Sequence, residues 1–201
     1  MGEKRGAPYA SAAARATTGA SRALSPARQR RLRRGPTVGA VVASGDTSMK
    51  TYAFEDFAVD QVREFGSRLV DRAEGLAFAA AYDPQPLHLD EEAANASVLG
   101  GLSISGWQTC ALVMRMMCDA YLLDSTSQGS PGIDNLRWLK PVRPGDTLRV
   151  RMTVLETKAS RSRPTIGLVR SAWAVFNQHD EQVMSMEGWG MFGRREAPPA
   201  D

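Results

Sequence analysis

The chain has 201 residues, 43% of them hydrophobic, with 25 basic and 22 acidic side chains. That suits one ordinary domain with a real core plus a tail, and no run of about 18 uninterrupted apolar residues suggests a membrane span. Nine of the basic residues but two of the acidic ones fall in residues 1–48, so the remainder is mildly acidic and shows no charge footprint for nucleic acid.

Residues 1–48 are rich in Ala, Arg, Ser and Gly and have no hydrophobic period, so a disordered basic extension is expected there. Three readings compete. One is an extension ahead of a true start at Met49. Another is an organelle-targeting segment. The third is a nucleic-acid-binding arm carried by Arg28 to Arg34. The first is preferred because Met49-Lys50-Thr51-Tyr52 leads directly into patterned sequence. The domain is then 49–201.

Tyr52 to Phe57 opens the domain with aromatics spaced for packing, and Val62 to Val70 reads as a strand. Asp71, three before Glu74, is an N-cap with a capping-box-like partner. Ala73, Leu76, Ala77, Ala80 and Ala81 follow at helical spacing. This helix must stop near Asp83, because Pro84 disfavours helical geometry in the residue before it. Asp90 caps a short helix from Glu91 to Ala96. Gly100 and Gly101 then break the chain, and Ser105 caps a longer helix from about Gly106 to Leu123. Its run Ala111 to Met117 is apolar on nearly all sides, as in a helix wrapped by other elements.

Four strands are expected next, over 133–139, 147–157, 165–176 and 182–192. Turns at Arg143-Pro144-Gly145-Asp146 and Asn177-Gln178-His179-Asp180 join them. The layout is α+β, with an antiparallel sheet curled around one central helix. One such sheet exposes an edge, which pairing with a second copy would hide.

Cys110 and Cys118 lie two turns apart on one helix, too far to bridge within it, and fit small buried residues in a reducing cytoplasm. With only His88 and His179 and no Cys-x-x-Cys, no metal site is expected.

The segment Tyr82-Asp83-Pro84-Gln85-Pro86-Leu87-His88 carries the chemistry. Two prolines should make it stiff and extended, holding a carboxylate and an imidazole in fixed relation. General bases act only within hydrogen-bond reach of the proton they take, and a carboxylate beside a histidine could activate one water between them. The plain structural alternative is a turn-capping Asp83 and an ordinary loop histidine. Gly106, at the first turn of the long helix, adds an N–H without an intrahelical partner and the positive end of the helix dipole. A thioester carbonyl placed there would have its developing charge stabilised. Alternatively, this glycine serves packing alone.

These residues resemble a family. Asp-x-x-Pro-x-His at 83–88, then Gly100-Gly101-Leu102-Ser103-Ile104-Ser105-Gly106-Trp107 before an apolar helix, is similar to the MaoC-like (R)-specific enoyl-CoA hydratases and dehydratases. The opening at 52–57 and Pro141 to Asp146 are further landmarks. The resemblance implies a hot-dog fold and a homodimer or higher homo-oligomer. It implies a hydro-lyase that adds water reversibly to a trans-2-enoyl thioester, giving an (R)-3-hydroxyacyl thioester. The catalytic pair would be Asp83 and His88, with Gly106 as the oxyanion-hole N–H. The partner is an acyl-CoA or acyl-carrier thioester, with no further cofactor, no nucleic acid and no membrane.

Tyr82 and Gln85 depart from the Gly and Asn that many family hydratases carry around the Asp, which leaves the acyl group open. Gln85, Ser105 and Trp107 are candidate substrate-binding residues, and Gln108 is near enough to matter. Arg137, Lys140 and Arg143 are candidates for the coenzyme A phosphates. The alternatives kept are a hot-dog thioesterase and a non-catalytic acyl-CoA-binding module.

Overall fold

The structure, a computed structural model, describes residues 52–195, so the expected extension at 1–48 and the start at Met49 lie outside the described residues. The chain enters through a 3-10 turn at Phe54–Asp56 and strand β1 (Val62–Leu69). Helices α1 (Arg72–Tyr82), α2 (Pro86–Leu89), α3 (Glu91–Ala96) and α4 (Gly106–Met117) follow, the last prolonged by a π-helical turn at Cys118–Leu122. Strands β2 (Gly132–Trp138), β3 (Thr147–Ala159), β4 (Ile166–Phe176) and β5 (Gln182–Gly193) complete the domain. The strands form one antiparallel sheet in the order β1-β3-β4-β5-β2. No helix among the described residues is long and apolar enough to cross a membrane.

Period-two patterning sets which face of the sheet is buried. Leu148, Val150, Met152 and Val154 of β3 and Val169 and Val175 of β4 are buried, and they share one core with Val113, Met116 and Met117 of α4. The result is the α+β hot-dog arrangement, a curled sheet around a helix. Gly66 shows how closely the two layers approach. It sits in a β-bulge at φ +93°, and a Cβ there would collide with the Met116 sulfur.

One expectation about α4 is corrected. The sheet covers one side of it, and Trp107, Ala111, Met114 and Arg115 stay exposed on the other. Five strands curl over only part of a helix circumference, so an apolar run is no sign of wrapping on all sides. Cys110 and Cys118 are likewise half-buried rather than buried, and both are free.

The caps act as local chemistry dictates. Asp71 Oδ1 accepts from the Glu74 N–H (2.8 Å) and Asp90 Oδ1 from the Ala93 N–H (2.8 Å). Glu74 does not return to the N-cap. Its carboxylate instead pairs with Arg68 at 2.8 Å. α1 ends at Asp83, whose N–H donates to the Ala79 carbonyl (2.9 Å).

A second correction concerns 83–88. The segment is not extended throughout, because Pro86 begins α2 and His88 lies inside that turn. Proline at the first helical position has the required φ and lacks only an N–H that would be unpaired anyway.

Candidate active site

α1, α2 and the start of α4 converge on one cleft of about 360 Å³. Asp83, Gln85, His88, Gly106, Trp107 and Trp138 are among the residues that line it. Asp83 is brought there by the forced end of α1, and His88 by the single turn of α2.

The His88 Nε2 atom stands 3.5 Å from Asp83 Oδ2, with the two side chains 9% and 15% exposed. His88 Nδ1 lies 2.9 Å from the Ser103 carbonyl oxygen. A carbonyl can only accept, so Nδ1 carries a proton, and Nε2 is the ring nitrogen that faces Asp83. Ser103 is itself buried, and the Ile104 N–H beside it donates to the Val142 carbonyl (2.9 Å), which ties this segment to the loop before β3.

Ser105 does two jobs. Its Oγ accepts from the Trp107 N–H (3.2 Å) as the N-cap of α4, and donates to Asp83 Oδ2 (2.6 Å). The Gln85 amide donates to Asp83 Oδ1 (2.7 Å). The Ser105 hydroxyl, then the Gln85 amide, hold the Asp83 carboxyl below its ordinary range despite burial, and the nearby His88 adds to this. Asp83 is the only carboxylate lining the cleft among the described residues.

Gly106 opens α4, and its N–H has no hydrogen-bond partner among the described residues. Its carbonyl accepts from Trp138 Nε1 (3.0 Å), and the Trp138 ring lies flush on it. A Cβ at this position would stand 2.6 Å from Trp138 Cε2. Trp107 meets Trp138 edge to face (centroids 5.2 Å apart, 79° between planes), and Trp107 is 60% exposed.

The structure therefore gathers Asp83, His88, Gly106, Gln85 and Trp107 at one cleft, with the Gln85 amide turned onto Asp83, whereas Ser105, expected at the substrate, is fully buried against Asp83 and outside the cleft lining. Gln108 is buried beside Gly75 of α1, away from the cleft lining. Arg143 donates to the carbonyls of Leu99 (2.6 Å) and Leu102 (3.3 Å), so it clamps the loop before α4. Lys140 pairs with Glu181 and also lines the cleft, while Arg137 donates to the Leu136 carbonyl. His179 is exposed in its turn. Trp138 and the Ser103 carbonyl went unmarked in the sequence, since no local pattern announces contacts made 32 and 15 residues away. Among the described residues no three His, Cys, Asp or Glu side chains gather in a way that could hold a metal ion.

A curled sheet on a helix, with an Asp–His pair facing the helix start, defines a class. The chain matches the MaoC-like domain model over residues 56–171, more than half its length, and belongs to that family. It is 39% identical to the MaoC-like dehydratase of Rhodospirillum rubrum (TM-score 0.67), over 72% of this chain and 99% of that one. It is 26% identical to the unliganded R-hydratase of Pseudomonas aeruginosa (TM-score 0.57), over 74% and 95% of the two chains. It is also 32% identical to the mesaconyl-CoA hydratase of Cereibacter sphaeroides over 158 residues, 76% of this chain but 45% of that protein. The chain thus spans about half the length of that last relative.

Proposed function

We propose that this protein is a hydro-lyase that adds water reversibly to a trans-2-enoyl thioester, giving an (R)-3-hydroxyacyl thioester. The observation that carries the reading is the meeting of Asp83, His88 and the unpaired Gly106 N–H at one cleft. One water placed ~2.8 Å from both Nε2 and Oδ2 fits the apex of the triangle they form. Both atoms accept, so each can take one of its O–H groups. That orients the oxygen lone pair toward the C3 carbon of a bound enoyl group.

Attack on C3 pushes the double-bond electrons onto the thioester oxygen. In this reading the Gly106 N–H and the positive end of α4 stabilise that charge. A proton returned to C2 completes the addition, and one water is gained overall. Elimination is the same path reversed. The (R) configuration and a place in fatty-acid metabolism are what the family resemblance implies, and either a coenzyme A or an acyl-carrier thioester would serve as substrate. The acyl thioester is substrate, and the scheme uses no other cofactor.

A second copy of the chain is proposed along β2, an edge strand whose Ile133 and Trp138 are each 47% exposed. Burying such apolar groups and the open ladder favours pairing. The thioesterase alternative would need a carboxylate from the central helix, and the two toward its far end, Asp119 and Asp124, are exposed and outside the cleft lining. A reducing cytoplasm remains the proposed setting.

The test is the loss of enoyl-thioester absorbance on incubation with crotonyl-CoA. Asp83→Asn and His88→Ala are each expected to lower turnover by about two to four decades. Full turnover in both variants would overturn the reading, and thiol release without hydration would replace it with thioester hydrolysis.

A further inference from the structure

Gln85 is the N-cap residue of α2, yet its side chain makes no cap bond. It is exposed on the cleft wall, and its amide donates to Asp83 Oδ1 at 2.7 Å. Ser105 Oγ, fully buried, donates to Oδ2 at 2.6 Å. Both carboxylate oxygens therefore accept from fixed donors. A proton on Oδ1 would face the hydrogens of an amide. A proton on Oδ2 would displace the Ser105 hydroxyl hydrogen, which has no other acceptor among the described residues. Charge-assisted bonds of this kind are about twice as strong as neutral ones. Protonating Asp83 would weaken both.

His88 stands differently. Its Nδ1–H is committed to the Ser103 carbonyl, and Nε2 makes no hydrogen bond of normal length, its nearest partner being Asp83 Oδ2 at 3.5 Å. Of the two groups facing the water, only Nε2 can gain and lose a proton without breaking a bond already made.

We propose that Gln85 is a positioning residue: with Ser105 it keeps Asp83 a carboxylate throughout the cycle, so that His88 Nε2 alone moves the proton. This rests on the hydratase reading. In the forward direction one water O–H bond breaks and its proton goes to Nε2. The oxygen bonds to C3, and the C2=C3 electron pair moves into the enolate. The Nε2 proton then passes to C2, the enolate pair forms the C2–H bond, and His88 is neutral again. Asp83 accepts the second O–H of the water and balances the transient imidazolium. The donors that fix it also aim it, because a carboxylate held at both oxygens cannot rotate.

The experiment uses the full chain and two variants, Gln85→Leu and Gln85→Asn. Initial rates of crotonyl-CoA hydration are measured across the acid and neutral range, and the Asp83 carboxyl carbon is titrated by 13C NMR. Gln85→Leu is expected to lower kcat about tenfold with KM almost unchanged. Asp83 should titrate at higher pH than in the unmodified protein. Gln85→Asn retains an amide donor and should recover most of kcat. A raised KM with unchanged kcat would make Gln85 a substrate contact and overturn the proposal. So would an Asp83 titration unmoved by Gln85→Leu. If the unmodified protein hydrates no enoyl thioester, the proposed function fails, and the NMR titration still decides whether Gln85 holds the carboxylate.

Discussion

Replacing Ser105 by alanine removes two interactions with one oxygen, and they can be separated by pH. The N-cap bond to the Trp107 N–H is worth about 1 kcal/mol. The bond to Asp83 is charge-assisted and buried on the Ser105 side, which places it at roughly 1.5–3 kcal/mol, reduced because Asp83 retains some exposure. Their sum in urea titrations at neutral pH is about 2–3 kcal/mol, or a fall of roughly 4–10 °C in Tm for a domain of this size. The sign with pH follows from the depressed Asp83 carboxyl. Its contribution is fully present above the unfolded carboxylate value near 3.8 and is lost as pH falls through the lower folded value. The gap between Ser105→Ala and the unmodified protein should therefore narrow in acid toward the cap term alone. A double-mutant cycle with Asp83→Asn should give a coupling of about 1–2 kcal/mol at neutral pH. A destabilisation that does not change with pH, together with zero coupling, would refute the view that Ser105 holds Asp83 as an anion.

Other outcomes follow from the same geometry. Gly106→Ala should displace the Trp138 ring and cost about 1–3 kcal/mol, with turnover falling at least as steeply; unchanged tryptophan fluorescence and rate would contradict it. Arg143→Ala should free the Leu99 and Leu102 carbonyls and cost about 1.5–3 kcal/mol in denaturant titrations. If stability is untouched while the KM for the CoA thioester rises sharply, Arg143 contacts the phosphates after all. Light scattering should report a dimer, and introducing Lys at Ile133 on the β2 edge should shift it toward monomer; a monomer in the unmodified protein would remove the proposed pairing.

The fold was legible wherever it follows from local rules. Asp71, Asp90 and Ser105 each sit before a helix they cap, and the alternation in β3 and β4 identifies the face that meets α4. Pro86 is ambiguous in the sequence, because a proline serves equally as a stiffener of extended chain and as the first residue of the helical turn that carries His88. In the candidate site the pairing of Asp83 with His88 was readable at a spacing of five. The partners that orient the pair were not. Ser105 reaches Asp83 across 22 positions, and Arg143 reaches Leu99 across 44. Such contacts arise only once the loops fold back on α4. The side chains also looked available for substrate in the sequence, whereas Gln85 and Ser105 are engaged with the carboxylate itself.

The most direct measurement is proton NMR of crotonyl-CoA hydration in deuterium oxide. The account predicts an (R)-3-hydroxybutyryl thioester carrying one deuterium at C2, formed by the unmodified protein and lost with His88→Ala. No water adduct at any protein concentration, or an adduct formed equally well without His88, would contradict it.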